Sequence, residues 1–388
     1  MKQPTTQQPR SLKIALLTYA TKPRGSVVHT LELAQALAAL GHEPWVFGLD
    51  KTGDGFYREV PVNQVPVPAR PCGGDIDQLI KQRIQEFVDF FQDHDAQYDI
   101  YHAQDCLSAN ALAILKEQGV VPHFVRTVHH IENFKSAYLR DCQDKSIYQS
   151  DRCLCVSYTW KTVLKEDYGV DAHRVINGVS SRFSATRTGE EDALAATYGI
   201  TSDSHPIYLT VGGIEPRKNS IRLLQALGQV RQQYPGAKLV IAGGETLFDY
   251  QDYRKEFMAI AAAQDLEDAL IFPGVVPDDV LPVLYRLADA FVFPSVQEGW
   301  GLVVLEAIAS GLPVLVSAQA PFTEFLSDVE ACLVNPLDVK AIAVGMDNTV
   351  KPQIAQGYID NSAPVAGRYS WLTSAKMHLE LYKQLQTS

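Results

Sequence analysis

No stretch of this 388-residue chain approaches the roughly 18 consecutive apolar residues that a membrane-spanning helix needs. Residues 1–10 are polar and lack the apolar centre of a secretory leader. The six cysteines, at 72, 106, 142, 153, 155 and 332, include no Cys-x-x-Cys pair and no framework spacing, so they read as isolated thiols in a reducing compartment. Taken together, these absences make a cytoplasmic protein the expectation. A net charge of −11 argues against nucleic acid as a partner. The acidity is uneven, with 19 basic against 21 acidic residues through Ser180 and 15 against 24 after it, so the near-neutral first half leaves open a weak encounter with a membrane surface. There is no low-complexity segment and no repeat at solenoid periods. Neither half opens with the Gly-x-Gly-x-x-Gly turn of a dinucleotide-binding oxidoreductase.

What is present is ordinary globular composition, 46% hydrophobic and 20% charged, in a chain long enough for two domains. Short apolar runs alternate with helical periodicity throughout. Lys13–Thr18 reads as a first strand, Val27–Leu40 as a helix with Val28, Leu31, Ala34 and Leu37 on one face, and Pro44–Phe47 as the next strand. Such a βαβ unit sets a parallel sheet. Pro-interrupted segments at 59–62 and 65–67 suit a sheet edge or loop. Strands at 98–102, 122–130 and 153–157 follow, and the pattern restarts at Ile207–Val211 with regular alternation of strand and helix to 316. A Leu/Tyr-striped helix, 370–386, closes the chain. The expected organisation is a polar tail at 1–12, a first domain with linker at 13–200, a second at 201–365 and a terminal helix at 366–388.

The most informative stretch runs from Phe291 to Pro313: an apolar strand, a break at Pro294-Ser295, a loop through Glu298, Gly299, Trp300 and Gly301, and a Leu/Val/Ala helix ending at Gly311. A loop at the carboxyl end of a parallel strand is where open α/β sheets bind ligands, and the free N–H groups of the next helix suit a phosphate. Gly301, Leu302 and Val303 would face it. Glu298 and Glu306 stand roughly 8–12 Å apart along the axis at about 1.5 Å per residue. That gap suits a sugar, a diphosphate and a ribose in series, with a carboxylate for the hydroxyls at each end.

This stretch resembles the Glu-x7-Glu signature of retaining glycosyltransferase family 4, with Trp300 at its usual aromatic position. The resemblance implies a GT-B fold of class α/β: two Rossmann-like parallel-sheet domains facing a cleft, with the last helix crossing back to the first domain. It also implies transfer of a hexose-type sugar from a nucleotide-diphosphate sugar to a hydroxyl on a glycan, lipid or small metabolite, with no cofactor and no metal. Val211–Asn219 resembles the family's basic strand-to-helix loop: Lys218 aligns with its lysine, Gly213 stands at its arginine position, and Arg217 supplies a cation from next door. Without a metal, cations and helix N–H groups must take the charge of the departing diphosphate, so Arg217 and Lys218 are its expected stabilisers.

Further donor-side expectations are Gly243, after a strand, and Val275 in Phe272–Val276, which resembles a segment bordering the nucleobase. Pro321–Glu324 matches a later family segment loosely, with a structural role equally open. In the first half, a family loop that usually carries paired glycines retains Gly25 followed by Ser26. The segments ending at Asp105 and at His129 resemble two more family motifs, with Gln104 replacing a histidine. His129 is expected to face sugar, with Ser26, Asp105, His130 and Glu132 toward the acceptor. Asp75-Ile-Asp77 has the letters of a metal-binding triplet but precedes a helical run, which favours a cap. A nucleotide-sugar epimerase and a non-catalytic nucleotide-sugar-binding protein remain as other readings, and oligomeric state has no signal.

Overall fold

The computed structural model describes residues 10–244 and 250–386; most of the expected polar tail lies outside them. The chain divides into two compact units, residues 1–177 with 371–388, and residues 178–370.

The first unit contains β1 (Lys13–Thr18), α1 (Gly25–Ala39), β2 (Glu43–Asp50), β3 (Asn63–Pro68), α2 (Ile76–Gln92), β4 (Ile100–Ala103), α3 (Cys106–Glu117), β5 (Val125–Val128), α4 (Ala137–Tyr148), β6 (Arg152–Cys155), α5 (Tyr158–Tyr168) and β7 (His173–Arg174). Its seven strands lie in the order β3-β2-β1-β4-β5-β6-β7, all neighbours parallel. Pro66 and Pro68 sit on the edge strand β3, where a missing N–H breaks no ladder. Leu17, Phe47, Phe87, Phe91 and Leu112 belong to one buried cluster on this sheet. Asp75 caps α2 by accepting from the Gln78 amide, and Asp77 accepts from the Ser136 hydroxyl, so both acids of the triplet serve local structure.

The second unit contains α6 (Glu191–Thr197), β8 (Ile207–Val211), α7 (Ser220–Val230), β9 (Lys238–Ala242), α8 (Gln251–Ala263), β10 (Leu270–Gly274), α9 (Leu281–Leu287), β11 (Ala290–Phe293), α10 (Leu302–Ala309), β12 (Val314–Ser317), β13 (Cys332–Val334), α11 (Val339–Val350) and α12 (Pro352–Arg368). Its six parallel strands run β10-β9-β8-β11-β12-β13. Strand order reverses at β8, so the carboxyl ends of β8 and β11 flank the switch point where such sheets bind ligands. The last helix, α13 (Trp371–Gln386), belongs to the first unit and packs on α1.

Several boundaries differ from the sequence expectation. The second unit begins at Gly178, not near 201, because α6 is fastened to α9 by a buried ion pair: Arg286 Nε donates to Glu191 Oε1 at 2.6 Å. Residues 366–370 stay with that unit, where the Val179 amide donates to the Tyr369 carbonyl. Helix α9 starts at Leu281, after a turn over Pro277–Val280 closed by the Val280 amide on the Pro277 carbonyl.

Candidate active site

In the second unit, three strand ends come together through backbone alone. The Gly212 amide donates to the Ala242 carbonyl at 2.7 Å, and the Gly243 amide to the Gly274 carbonyl at 2.9 Å. A Cβ on Gly243 would lie 2.6 Å from the Gly212 carbonyl carbon, so glycine is what lets these loops touch. Gly213 follows, half-buried. Val275 is exposed, and its Cγ2 would stand 2.6 Å from a Cβ on Gly244.

The turn Pro216–Lys218 leads to Asn219, which adopts a left-handed φ of 60°. Its side-chain amide donates to the carbonyls of Pro294, at 3.0 Å, and Pro336. Ser295 closes the same junction: its hydroxyl donates to the Arg217 carbonyl at 2.7 Å, while the Val296 amide meets that carbonyl at 2.8 Å. Ser317, from β12, donates to the Ser295 carbonyl. Two loops 80 residues apart in sequence are thereby held as one surface.

The basic and acidic residues expected to work together do meet there. Glu298 Oε1 lies 2.5 Å from Lys218 Nζ, 3.0 Å from an Arg217 terminal nitrogen and 3.0 Å from Ser295 Oγ. Arg217 Nε pairs with Glu215 at 2.9 Å, and Lys218 sits 4.2 Å above the Phe293 ring. Burial pushes the Glu298 carboxyl up, but Lys218 and then Arg217 outweigh it and hold it below the usual range, so it is an anion. Burial draws the Lys218 ammonium down, against the pull of Glu298. With its side chain only 12% exposed, the ammonium acts through a medium less polar than water.

Past Glu298 and Gly299, the chain turns at Trp300, stacked 4.8 Å from Phe325, and at Gly301. Gly301 has φ 105°, and a Cβ there would stand 2.7 Å from the Phe322 ring. No side chain caps α10 at Gly301. The N–H groups of Leu302 and Val303, in its first turn, have no intrahelical partner, which makes an anion-accepting end. Glu306 is buried in the next turn and accepts from the Tyr285 hydroxyl at 2.9 Å. Glu324 closes a short helical turn in which Phe322 is buried. Asn219, Glu215, Ser317 and Tyr285 had no assigned part in the sequence reading. Asn219 alone carried a signal, an amide of the type that tolerates a left-handed turn.

The first unit gathers a second set at the carboxyl ends of β1, β4 and β5. His129 is half-buried, with Nε2 3.2 Å from Gln104 Oε1 and its ring 4.7 Å from that of His29. Burial, then the neighbouring His29, hold His129 well below the ordinary histidine range, so it is neutral near pH 7. His29, fully buried and paired through Nδ1 to Asn177 at 2.8 Å, is pushed down to about 3, by burial first and His378 second. His29 Nε2, Gln104 Nε2 and Thr18 Oγ1 are buried without a hydrogen-bond partner. His102 bridges Thr127 and Tyr382, each at 2.7 Å, and Tyr382 and His378 arrive on α13.

The remaining first-unit expectations fare unevenly. Asp105 caps α3 through Oδ1 on the Ser108 amide, leaving Oδ2 buried and unpartnered, and burial raises its carboxyl above the usual range. His130 is exposed and pairs with Glu132 at 2.8 Å. Gly25 and Ser26 are the first residues of α1. A Cβ on Gly25 would meet nothing within 4 Å, so close approach of the surrounding structure does not demand glycine there. Among the described residues no three His, Cys, Asp or Glu side chains are grouped to hold a metal ion, and no helix is long and apolar enough to cross a membrane.

Two units, each a parallel sheet of Rossmann type with helices, define a GT-B glycosyltransferase fold. Comparison with known proteins agrees. Residues 23–182 match the model described as Glycosyltransferase Family 4, and residues 200–363 match Glycosyl transferases group 1. An uncharacterized glycosyltransferase of Methanocaldococcus jannaschii is 28% identical over 393 residues, covering 96% of this chain and 98% of its own. Among solved structures, sucrose-phosphate synthase of Thermosynechococcus elongatus superposes with a TM-score of 0.80 at 22% identity, covering 97% of this chain and 99% of the other. HepE of Anabaena, solved with UDP-glucose, gives a TM-score of 0.77 at 19% identity, covering 96% and 100%. The chain belongs to glycosyltransferase family 4 and is a glycosyltransferase.

Proposed function

We propose that the protein transfers a hexose-type sugar from a nucleoside-diphosphate sugar to a hydroxyl acceptor, with retention at the anomeric carbon and without a metal. The observation that carries this reading is the convergence of Lys218, Arg217 and Glu298 beside the uncapped start of α10. Cleaving the sugar–phosphate bond adds about one negative charge to the diphosphate. Two cations and the Leu302 and Val303 amides can receive it without moving far. Glu298 then exchanges its cationic partners for donor-sugar hydroxyls, and Glu306 accepts from the ribose. The UDP-glucose bound to HepE supports a donor of this class.

For retention, the acceptor hydroxyl attacks on the face the diphosphate leaves, and its proton passes to the departing phosphate oxygen. His129, held neutral, positions or polarises groups on the acceptor side, where Gln104 and His29 present unpartnered nitrogens. A covalent route needs a carboxylate nucleophile. Glu298 is instead assigned to the donor-sugar hydroxyls, and a trapped glycosyl ester on it would overturn same-face attack.

The test is a panel of UDP- and GDP-sugars scored by thermal stabilisation, with and without EDTA, followed by nucleoside diphosphate release with the stabilising donor. Stabilisation and turnover that survive the chelator are expected. Activity lost on chelation and restored by magnesium or manganese contradicts the reading, and conversion of the donor sugar without acceptor would mark an epimerase.

A further inference from the structure

Tyr285 lies outside every motif discussed above, yet it reaches the carboxylate assigned to the ribose. It sits on the seven-residue helix α9, fully buried, with its ring edge-on to Phe183 at 5.5 Å and 5.7 Å from Phe291. The next residue, Arg286, anchors the helix to Glu191 at 2.6 Å. Ring and helix are therefore both fixed, and the phenol oxygen with them. That oxygen is 2.9 Å from Glu306 Oε2 and 3.2 Å from the Val303 carbonyl.

A phenol has one proton to donate, and a charged acceptor at the shorter distance takes it. Burial, and then the Glu306 carboxylate, hold the phenol well above its ordinary range, so it remains a donor at any working pH. A glutamate side chain has three rotatable bonds, and a free one would lose rotamer freedom when a ligand binds. One oxygen held by a rigid donor removes much of that loss and sets the plane in which the carboxylate accepts. A carboxylate has about four lone-pair sites, of which Tyr285 takes one.

Resting on the donor-site reading above, we propose that Tyr285 is the positioning residue for Glu306, fixing its carboxylate to accept from the ribose diol and so setting the preference for ribonucleotide over deoxyribonucleotide. It touches no substrate itself.

The test measures Kd by calorimetry for UDP against 2′-deoxy-UDP, and GDP against 2′-deoxy-GDP, in wild type, Tyr285→Phe, Glu306→Gln and the double variant. Wild type is expected to prefer the ribonucleotide. Tyr285→Phe is expected to shrink that preference about tenfold, the scale of one hydrogen bond to a charged group, by weakening the ribonucleotide alone. In the Glu306→Gln background the same change should add nothing. Equal weakening of ribo and deoxy forms, or an unchanged ratio, would show a merely structural tyrosine and overturn the proposal. A wild type that binds nucleotide without preferring ribose overturns the ribose role of Glu306 and this proposal, while leaving the diphosphate site standing. Failure to bind any nucleotide overturns the donor-site reading itself. If Tyr285→Phe does not fold, 3-fluorotyrosine at 285 keeps the shape and strengthens the donor; an altered ratio with unchanged deoxynucleotide affinity is expected, and an unchanged ratio overturns the assignment.

Discussion

Replacing Lys218 by methionine removes one charge from the donor loop while keeping most of the side chain's length, and its effect can be estimated from the surroundings. Two unit charges 4 Å apart interact by about 4 kcal/mol at an effective dielectric of ~20, the value suited to a largely buried site. Lys218, 12% exposed and 2.5 Å from Glu298, is in that regime. Only part of a charge has developed on the diphosphate at the transition state, so about 3 kcal/mol of differential stabilisation is lost, or 10²–10³ in turnover, which matches the removal of one oxyanion donor. The assay is nucleoside diphosphate release at saturating donor, with thermal unfolding in parallel. Glu298 retains Arg217 as a partner, so the fold should persist. An unchanged kcat in a folded Lys218→Met protein would refute the leaving-group argument.

Three further outcomes are expected. The Glu191 carboxyl is pushed up by burial, but Arg286 and the amides of Thr188 and Gly189 pull it down to about 2 from the ordinary 4.5, so it contributes about 3 kcal/mol that is complete above pH 4.5 and lost as pH falls through about 2. The stability gap between wild type and Glu191→Gln should therefore close on acidification, and a pH-independent gap would contradict it. Gly301→Ala forces a Cβ to 2.7 Å from Phe322 at a φ of 105°, so calorimetry and thermal unfolding should show weaker nucleotide binding and a loss of about 1–3 kcal/mol. His129→Asn should lower kcat by about 10²-fold, the scale of a misplaced reacting group. Because His129 is held neutral, neither enzyme should show an acid limb from it between about pH 6 and 8 in kcat/KM.

How much of this was legible in the sequence depended on whether the controlling contacts were local. The strand, loop and helix from Phe291 to Ala309 follow from side-chain period and from Pro294 and Gly301, all within one short window. The edge position of β3 follows from its prolines. Asn219, by contrast, reaches carbonyls 75 and 117 residues away, and His102 meets Tyr382 280 residues on. Contacts of that span leave no periodicity to read. Tyr285 sits in an apolar helical run and reads as core; only packing shows that its hydroxyl meets Glu306. The allegiance of helix α6 depended on Glu191 finding Arg286 95 residues away.

The most direct test is a crystal structure of the protein with the nucleoside diphosphate that stabilises it most. The terminal phosphate is expected within about 3 Å of Lys218 and of the Leu302 or Val303 amide, with Glu298 released from Lys218 and no metal between the phosphates. A nucleotide bound elsewhere, or phosphates bridged by a divalent ion while Lys218 stays on Glu298, would contradict the account.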